Sequence, residues 1–338
     1  MPMRLIGTAF LLWCLLACGP VLRGAGVTYV PPDGAGNGKH IVLVSGDDEY
    51  HSEEALPQLA KILAVRHGFR CTVLFTIDPA DGTINRQAQN LPGLEELEKA
   101  DLLILFARFR NLPDDQMKRL VDYIESGRPL IGLRTATHAF RIPPGSTYAR
   151  YSYDSKVEGW EGGFGRRVLG ETWINHHGQH GKQSTRAVLV KEAAASPILR
   201  GIPDREIWVP TDVYKVRLPL PSDCHPLLLG EVRAGMAPAD PAVEGPLNDP
   251  MMPVAWTRSY RGESGNTARV FTTTMGAADD LETEGFRRLL VNAAYWAVGF
   301  ENRTPAKASV DYVGEYRPHP FTWRDYVRGM KPSDLAIR

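Results

Sequence analysis

Four short stretches gather the side chains that do chemistry. "SGDDEYH" sets Asp47, Asp48, Glu49 and His51 directly behind the apolar run Ile41 to Val44. "FARFRN" places Arg108 and Arg110 behind Leu102 to Phe106, and "GLRTATH" carries Arg134, Thr135 and His138 at the end of Leu130 to Leu133. "NHHGQHGK" holds His176, His177 and His180, so three of the chain's nine histidines fall within five residues. Carboxylates beside guanidinium groups can serve as acid–base groups whose pKa values the neighbours set, or can bind hydroxyls. Arg108, Arg110 and Arg134 can orient a polar ligand or stabilise a developing oxyanion. The histidine loop can move protons, or His176, His177 and His180 can ligate a divalent transition metal such as zinc. Spacing identifies no further ligand for such an ion.

Each stretch also has a plainer reading. Glu53 and Glu54 can complement a helix dipole, and Asp47 can cap a turn. Arg108 and Arg110 can pair with Asp47 or Asp48 as a structural network. Arg134 follows a buried strand, where a charge is costly unless paired, so it is functional or part of a specific ion pair. The histidines can be ordinary loop residues.

The elements that would hold these residues follow from pattern. Apolar strands at Ile41–Ser45, Cys71–Phe75, Leu102–Phe106 and Leu130–Leu133 alternate with helices at about 53–66 and 94–99 and one opening at Pro113-Asp114-Asp115, whose face is Met117, Leu120, Val121 and Ile124. Strands that are apolar throughout predict a parallel sheet covered on both faces. Ligands then bind beyond the carboxyl ends of the strands, where three of the four stretches stand. The second half predicts short strands near 187–190, 213–216, 226–229, 254–257 and 269–273. It also predicts a surface excursion over 234–250 and a helix over 283–298. Residues 27–38 read as a linker, 39–300 as one domain, and 301–338 as a tail with Trp323 and Tyr326 packed on the outside.

Lys plus Arg and Asp plus Glu both number 39, so no net field draws in nucleic acid or anionic lipid, and no basic cluster exists. Residues 1–26 read as a signal peptide, with an apolar core from Leu5 to Ala17 that is short for a membrane span. Export to the periplasm or medium is expected, with cleavage after Gly19. A lipoprotein modified at Cys18 is the alternative, and no transmembrane anchor remains in the mature chain. Cys71 and Cys224 then allow at most one disulfide, so a hydrophobic core must supply stability. Homo-oligomerisation is left open.

The segments "GKHIVLVSGDDEYHSEEALP", "ADLLILFARFRNLP", "GRPLIGLRTATHAF", "TDVYKV", "PVAWTRSY" and "ARVFTTTMGAADDLETEGFRRLLVNAAYWAVG", taken in this order, resemble the ThuA-like (trehalose utilisation) family over residues 39 to 300. The resemblance implies an α/β fold: a flavodoxin-like, class I glutamine amidotransferase-like three-layer sandwich with a mostly parallel central sheet. It also implies a link to sugar metabolism. In such folds the nucleophile is a cysteine in a Gly-x-Cys-x-Gly turn. Here the turn reads Gly132-Leu133-Arg134-Thr135-Ala136, and a guanidinium is no nucleophile. Thiol-dependent glutamine hydrolysis is therefore not expected. Two further family features, a Gly-His before the last helix and a His-Pro, read Gly276-Ala277 and Ser196-Pro197 here. Asp212 in "TDVY" matches the family's acidic-aromatic segment and is a candidate ligand contact.

The expected function is an exported protein acting on a sugar or oxidised sugar derivative by acid–base or metal-assisted chemistry. Asp47, Asp48, Glu49, His51, Arg134 and His177 are its candidate catalytic residues. Arg108, Arg110, Thr135, His138, His176 and Asp212 would bind the small-molecule carbohydrate. The alternative is a non-catalytic sugar- or glycan-binding module on a scaffold that has lost its nucleophile.

Overall fold

The computed structural model describes residues 26–321 and 326–337. The leader with Cys14 and Cys18 lies outside the described residues, apart from its last position, as does Trp323. The strands are β1 (Gly26–Tyr29), β2 (His40–Gly46), β3 (Arg70–Phe75), β4 (Leu102–Ala107), β5 (Leu130–Leu133), β6 (Asn175–His176), β7 (Thr185–Leu189), β8 (Trp208–Val209), β9 (Tyr214–Lys215), β10 (Cys224–Val232), β11 (Met252–Arg261) and β12 (Thr267–Thr273). Among the described residues three α-helices accompany them: α1 (Ser52–His67), α2 (Asp114–Glu125) and α3 (Glu284–Ala297).

Ten of the strands form one sheet in the order β1-β3-β2-β4-β5-β12-β11-β10-β7-β8. Its centre is parallel: β3, β2, β4, β5 and β12 run the same way. Antiparallel strands extend it at both sides. The parallel strands are buried on both faces because successive side chains point to opposite sides. Ile41, Leu43, Ile104 and Phe106 meet α1 and α3 through Leu59, Leu63, Phe286 and Leu289. Val42, Val44, Leu103 and Leu105 meet α2 through Met117, Leu120 and Ile124. This is the expected three-layer α/β sandwich.

Two sequence expectations are corrected at the margins. Gly26–Tyr29, placed between leader and linker, pairs with β3 as an edge strand, with Val27 and Tyr29 turned into the core. The short element at 94–99 is a 3-10 helix. Beyond Phe300, Ala308 and Val310 are buried with the α1/α3 layer. Tyr316 Oη donates to Ala278 O (2.7 Å), and Tyr29 Oη to Leu335 O (2.8 Å). Cys71 and Cys224 are buried free thiols. Among the described residues no helix is long and apolar enough to cross a membrane.

Candidate functional site

The site grows from three turns at the carboxyl ends of β2, β4 and β5. Behind β2, Asp47 organises its own loop. Its Oδ1 accepts the backbone N–H groups of Glu49 (2.8 Å) and Tyr50, and its Oδ2 accepts Thr135 Oγ1 (2.8 Å). Ser52, the first residue of α1, donates or accepts at Ser45 Oγ (2.8 Å) and accepts the Asp47 N–H (3.1 Å), tying the helix start to the strand end. With both oxygens hydrogen-bonded and the side chain buried, Asp47 holds the loop, and Thr135 is buried with it. Burial and the neighbouring Asp48 push the Asp47 carboxyl up to about 6, against the pull of its backbone bonds and Arg108.

Asp48 and Glu49 turn toward the arginines behind β4. Arg108 reaches Asp48 Oδ1 (2.9 Å) and Glu49 Oε2 (3.4 Å). Arg110 lies 3.5 Å from Asp48 Oδ2 and donates to the carbonyls of Arg108, Arg86 and Ala88. The structural-network and rim readings thus hold together: the same ion pairs that fix the loops line the rim.

Arg134, behind β5, is wholly buried in the left-handed region, at φ 45°. A side chain in that conformation costs free energy and persists where surrounding contacts fix it. Here they do. One guanidinium nitrogen donates to Asp212 O (2.7 Å) and Thr274 O (2.6 Å); the other donates to Asp212 Oδ1 (2.7 Å) and Tyr50 Oη (3.3 Å). Tyr214 and Tyr50 rings lie 3.7 and 4.6 Å from its Cζ. Arg134 anchors the floor of the site.

Asp212 is the hub that the sequence placed only by resemblance. Its Oδ2 accepts His176 Nδ1 (2.7 Å), and its Oδ1 accepts His180 Nδ1 (3.1 Å) as well as Arg134. Although burial opposes ionisation, Arg134 and the two histidines hold the Asp212 carboxyl well below the usual carboxylate range. The other ring nitrogen of His180, Nε2, lies 3.1 Å from Glu49 Oε1. Both ring nitrogens therefore face carboxylates, and these raise the imidazole to about 9 despite partial desolvation.

Three expected residues stand elsewhere. His177 does not join the cluster; its Nε2 donates to Leu247 O (2.9 Å), so Asp212 takes the third place beside His176 and His180. His51 forms the left-handed N-cap of α1, with Nδ1 against Glu53 (3.1 Å) and Glu54 (3.6 Å) and its ring against His319. His138 is buried among Phe109, Trp173 and Tyr214, and desolvation together with nearby Arg108 and Arg134 depresses its pKa strongly, so it packs as a neutral ring. Sequence reasoning missed Tyr50, Tyr214, and the pair Asp279 and Asp280 behind β12. Asp280 Oδ2 accepts the N–H of Gly276 (2.6 Å) and Thr211 Oγ1 (2.8 Å). The same strand-end filter that found the other stretches would have found this pair had β12 been recognised as parallel.

His176, His180 and Asp212 each offer a ligand atom within 4.8 Å of the others, so a zinc-sized ion fits their donor types. Arg134, 2.7 Å from Asp212 Oδ1, sets a fixed cation against the same carboxylate.

A family model described as ThuA, Trehalose utilisation, matches residues 41–297. No curated protein matches the chain. Among solved structures, a ThuA-like protein from Parabacteroides merdae ATCC 43184 is 14% identical, with 85% of this chain and 97% of that chain covered and a TM-score of 0.48. Another from Bacteroides uniformis ATCC 8492 is 17% identical, with 79% and 94% covered and a TM-score of 0.46.

Proposed function

The chain belongs to the ThuA (trehalose utilisation) family, and from that premise we propose that it is a carbohydrate-directed catalyst whose proton donor is His180. One observation carries the reading. Both ring nitrogens of His180 lie 3.1 Å from carboxylates, Asp212 on one side and Glu49 on the other. Asp212 and Glu49 together raise the imidazole to about 9, which favours the doubly protonated ring near neutral pH. Roughly a quarter of the side chain is solvent-accessible (27%), so a ligand can reach it. His180 then delivers a proton to a sugar oxygen and takes one back from an incoming water in the return step, while Glu49 and Asp212 hold the ring in place. Arg108 and Asp48 hold hydroxyls at the rim. Asp212, His176 and Arg134 keep the ring oriented.

A metal-assisted variant uses the same donors. With zinc on His176, His180 and Asp212, the ion would supply Lewis-acid activation of a sugar oxygen. The short Arg134–Asp212 contact favours the acid–base form.

The test is turnover of trehalose and of a panel of neutral and carboxylated glycosides, followed by product release, with and without added zinc. His180→Gln is expected to lose about 100-fold or more in kcat, with sugar affinity by calorimetry nearly unchanged. Sugar binding without turnover in the parent protein would make it a binding module. Equal turnover by parent and variant would remove His180 from the chemistry. Export by the Leu5–Ala17 leader belongs to the same proposal. N-terminal sequencing of the chain from the cell envelope checks it, and an intact Met1 there would overturn it.

A further inference from the structure

We propose that the cleft beside Asp48 is a subsite for the carboxylate of a sugar acid, and that Arg141 is its specificity-determining residue. The proposal rests on the sugar-directed reading of the adjoining His180 site and names the substrate class.

The cleft has a volume of about 580 Å³ and opens beyond β4, with Asp48, Arg108 and Arg141 in its wall. That is within the usual range for small-molecule sites. Gln87, Gln89 and Asn111 line the same cleft and supply amide donors and acceptors suited to hydroxyl groups.

The charges decide the ligand. Arg108 already faces Asp48 (2.9 Å) and Glu49 (3.4 Å), and Arg110 faces Asp48 (3.5 Å) and three backbone carbonyls. Arg141 differs. Among the described residues it pairs with no carboxylate, and its hydrogen-bond partner is Tyr153 Oη at 3.5 Å. With Arg108 and Arg110 each set against a carboxylate, the charge of Arg141 is the one left for a ligand. A monoanion matches it. A phosphate monoester carries about two negative charges at neutral pH and brings one too many next to Asp48.

The spare cation is also held in place. Arg141 Cζ lies 3.9 Å from the centroid of the Phe109 ring, and Arg108 Cζ lies 4.7 Å from the same ring. Phe109 itself sits at φ 50°, a conformation kept by its N–H bond to His138 O (3.1 Å) and by the next N–H, from Arg110 to Ala139 O (2.7 Å). One aromatic ring thus fixes two guanidinium groups at the cleft, and a planar guanidinium matches a carboxylate with two parallel bonds. Arg108 connects this cleft to the chemistry through Glu49, which lies against His180.

Calorimetry on the full chain with D-glucuronate, D-glucose and glucose 6-phosphate tests this. Glucuronate is expected to bind about tenfold tighter than glucose at low ionic strength, with the difference shrinking in salt. In Arg141→Gln the preference should fall below about twofold, with glucose affinity and the thermal midpoint unchanged, and Arg141→Lys should retain part of it. Equal affinity of the parent for glucuronate and glucose overturns the subsite. So does tighter binding of glucose 6-phosphate, or loss of glucose and glucuronate together in Arg141→Gln. Turnover of neutral sugars without a carboxylate preference sinks the subsite alone. An Arg141-dependent preference without turnover of any sugar upholds the subsite and sinks the catalytic reading.

Discussion

Arg134 stands at a turn where a left-handed φ, full burial and a formal charge coincide. Each feature alone is costly, and the ion pair with Asp212 offsets them together. Half of this was legible in the sequence. A charge after a buried strand announces a partner, and Arg134 in the place of a nucleophile announces a changed chemistry. The partner's identity was not, because Asp212 is 78 residues away and arrives through irregular backbone. His177 shows the converse limit: adjacent histidines look equivalent by spacing, yet neighbouring side chains in an extended segment point apart, and only His176 meets Asp212. Asp212→Asn should expose the dependence. It leaves Arg134 buried without its ion-pair partner and is expected to cost about 3–5 kcal/mol, read as a lower urea midpoint with an unchanged slope. An unaltered midpoint would mean that the tyrosines and carbonyls around Arg134 suffice without the carboxylate.

The elements were more legible than their connections. Strands β2 to β5 and helices α1, α2 and α3 follow from apolar runs and 3.6-residue periodicity, since burial on both faces or on one stripe leaves a strong local pattern. Strand β1 left none: four residues ahead of a Pro/Gly-rich stretch carry too little pattern to separate an edge strand from a linker. The parallel pairing of β12 with β5 depends on contacts 140 residues apart, and with it went the recognition of Asp279 and Asp280. Helix α1 shows how one residue fixes an element's end. Gly68 adopts φ 74° and its N–H bonds Ala64 O, while its carbonyl accepts the Asn37 N–H (2.8 Å). A β-carbon there would sit 2.1 Å from Ala35 O, so both the backbone conformation and the approach of the 35–37 loop require glycine. Gly68→Ala is expected to lower stability by about 2 kcal/mol or more in denaturant melts, with the rim geometry and sugar affinity retained. A neutral effect would show that the 35–37 loop moves away at little cost.

At the scale of the whole molecule, formal charge balances at pH 7, so global repulsion grows in either direction from neutrality and by itself favours a stability maximum near pH 7. The buried site groups pull the maximum elsewhere. Asp47, raised to about 6 by burial and Asp48, favours folding fully below the unfolded carboxyl value near 4 and loses that contribution as pH rises through 6. Asp279, raised to about 8 by burial and Asp280, acts in the same sense over a wider span. His180, raised to about 9 by Asp212 and Glu49, stabilises fully below about 6.5 and ceases to do so as pH passes 9. Asp212 works the other way: its carboxyl is depressed, so its contribution is present above about 4 and disappears in acid. Three groups thus favour the acid side of neutrality, while Asp212 guards the floor and His138, depressed by burial, Arg108 and Arg134, contributes above about 6.5 and loses that contribution as pH falls. Thermal midpoints measured from pH 3 to 10 should peak between about 4 and 6.5 and fall steadily to about 9. Asp47→Asn is the discriminating variant. Its amide oxygen can still accept the Glu49 and Tyr50 N–H groups, its nitrogen can donate to Thr135 Oγ1, and it no longer ionises. The variant should flatten the decline between pH 4 and 6 and gain stability over the parent above pH 6. A maximum at pH 7 in the parent, with the same slope in the variant, would show that overall charge governs the pH dependence and that Asp47 is ionised in the folded chain at no cost.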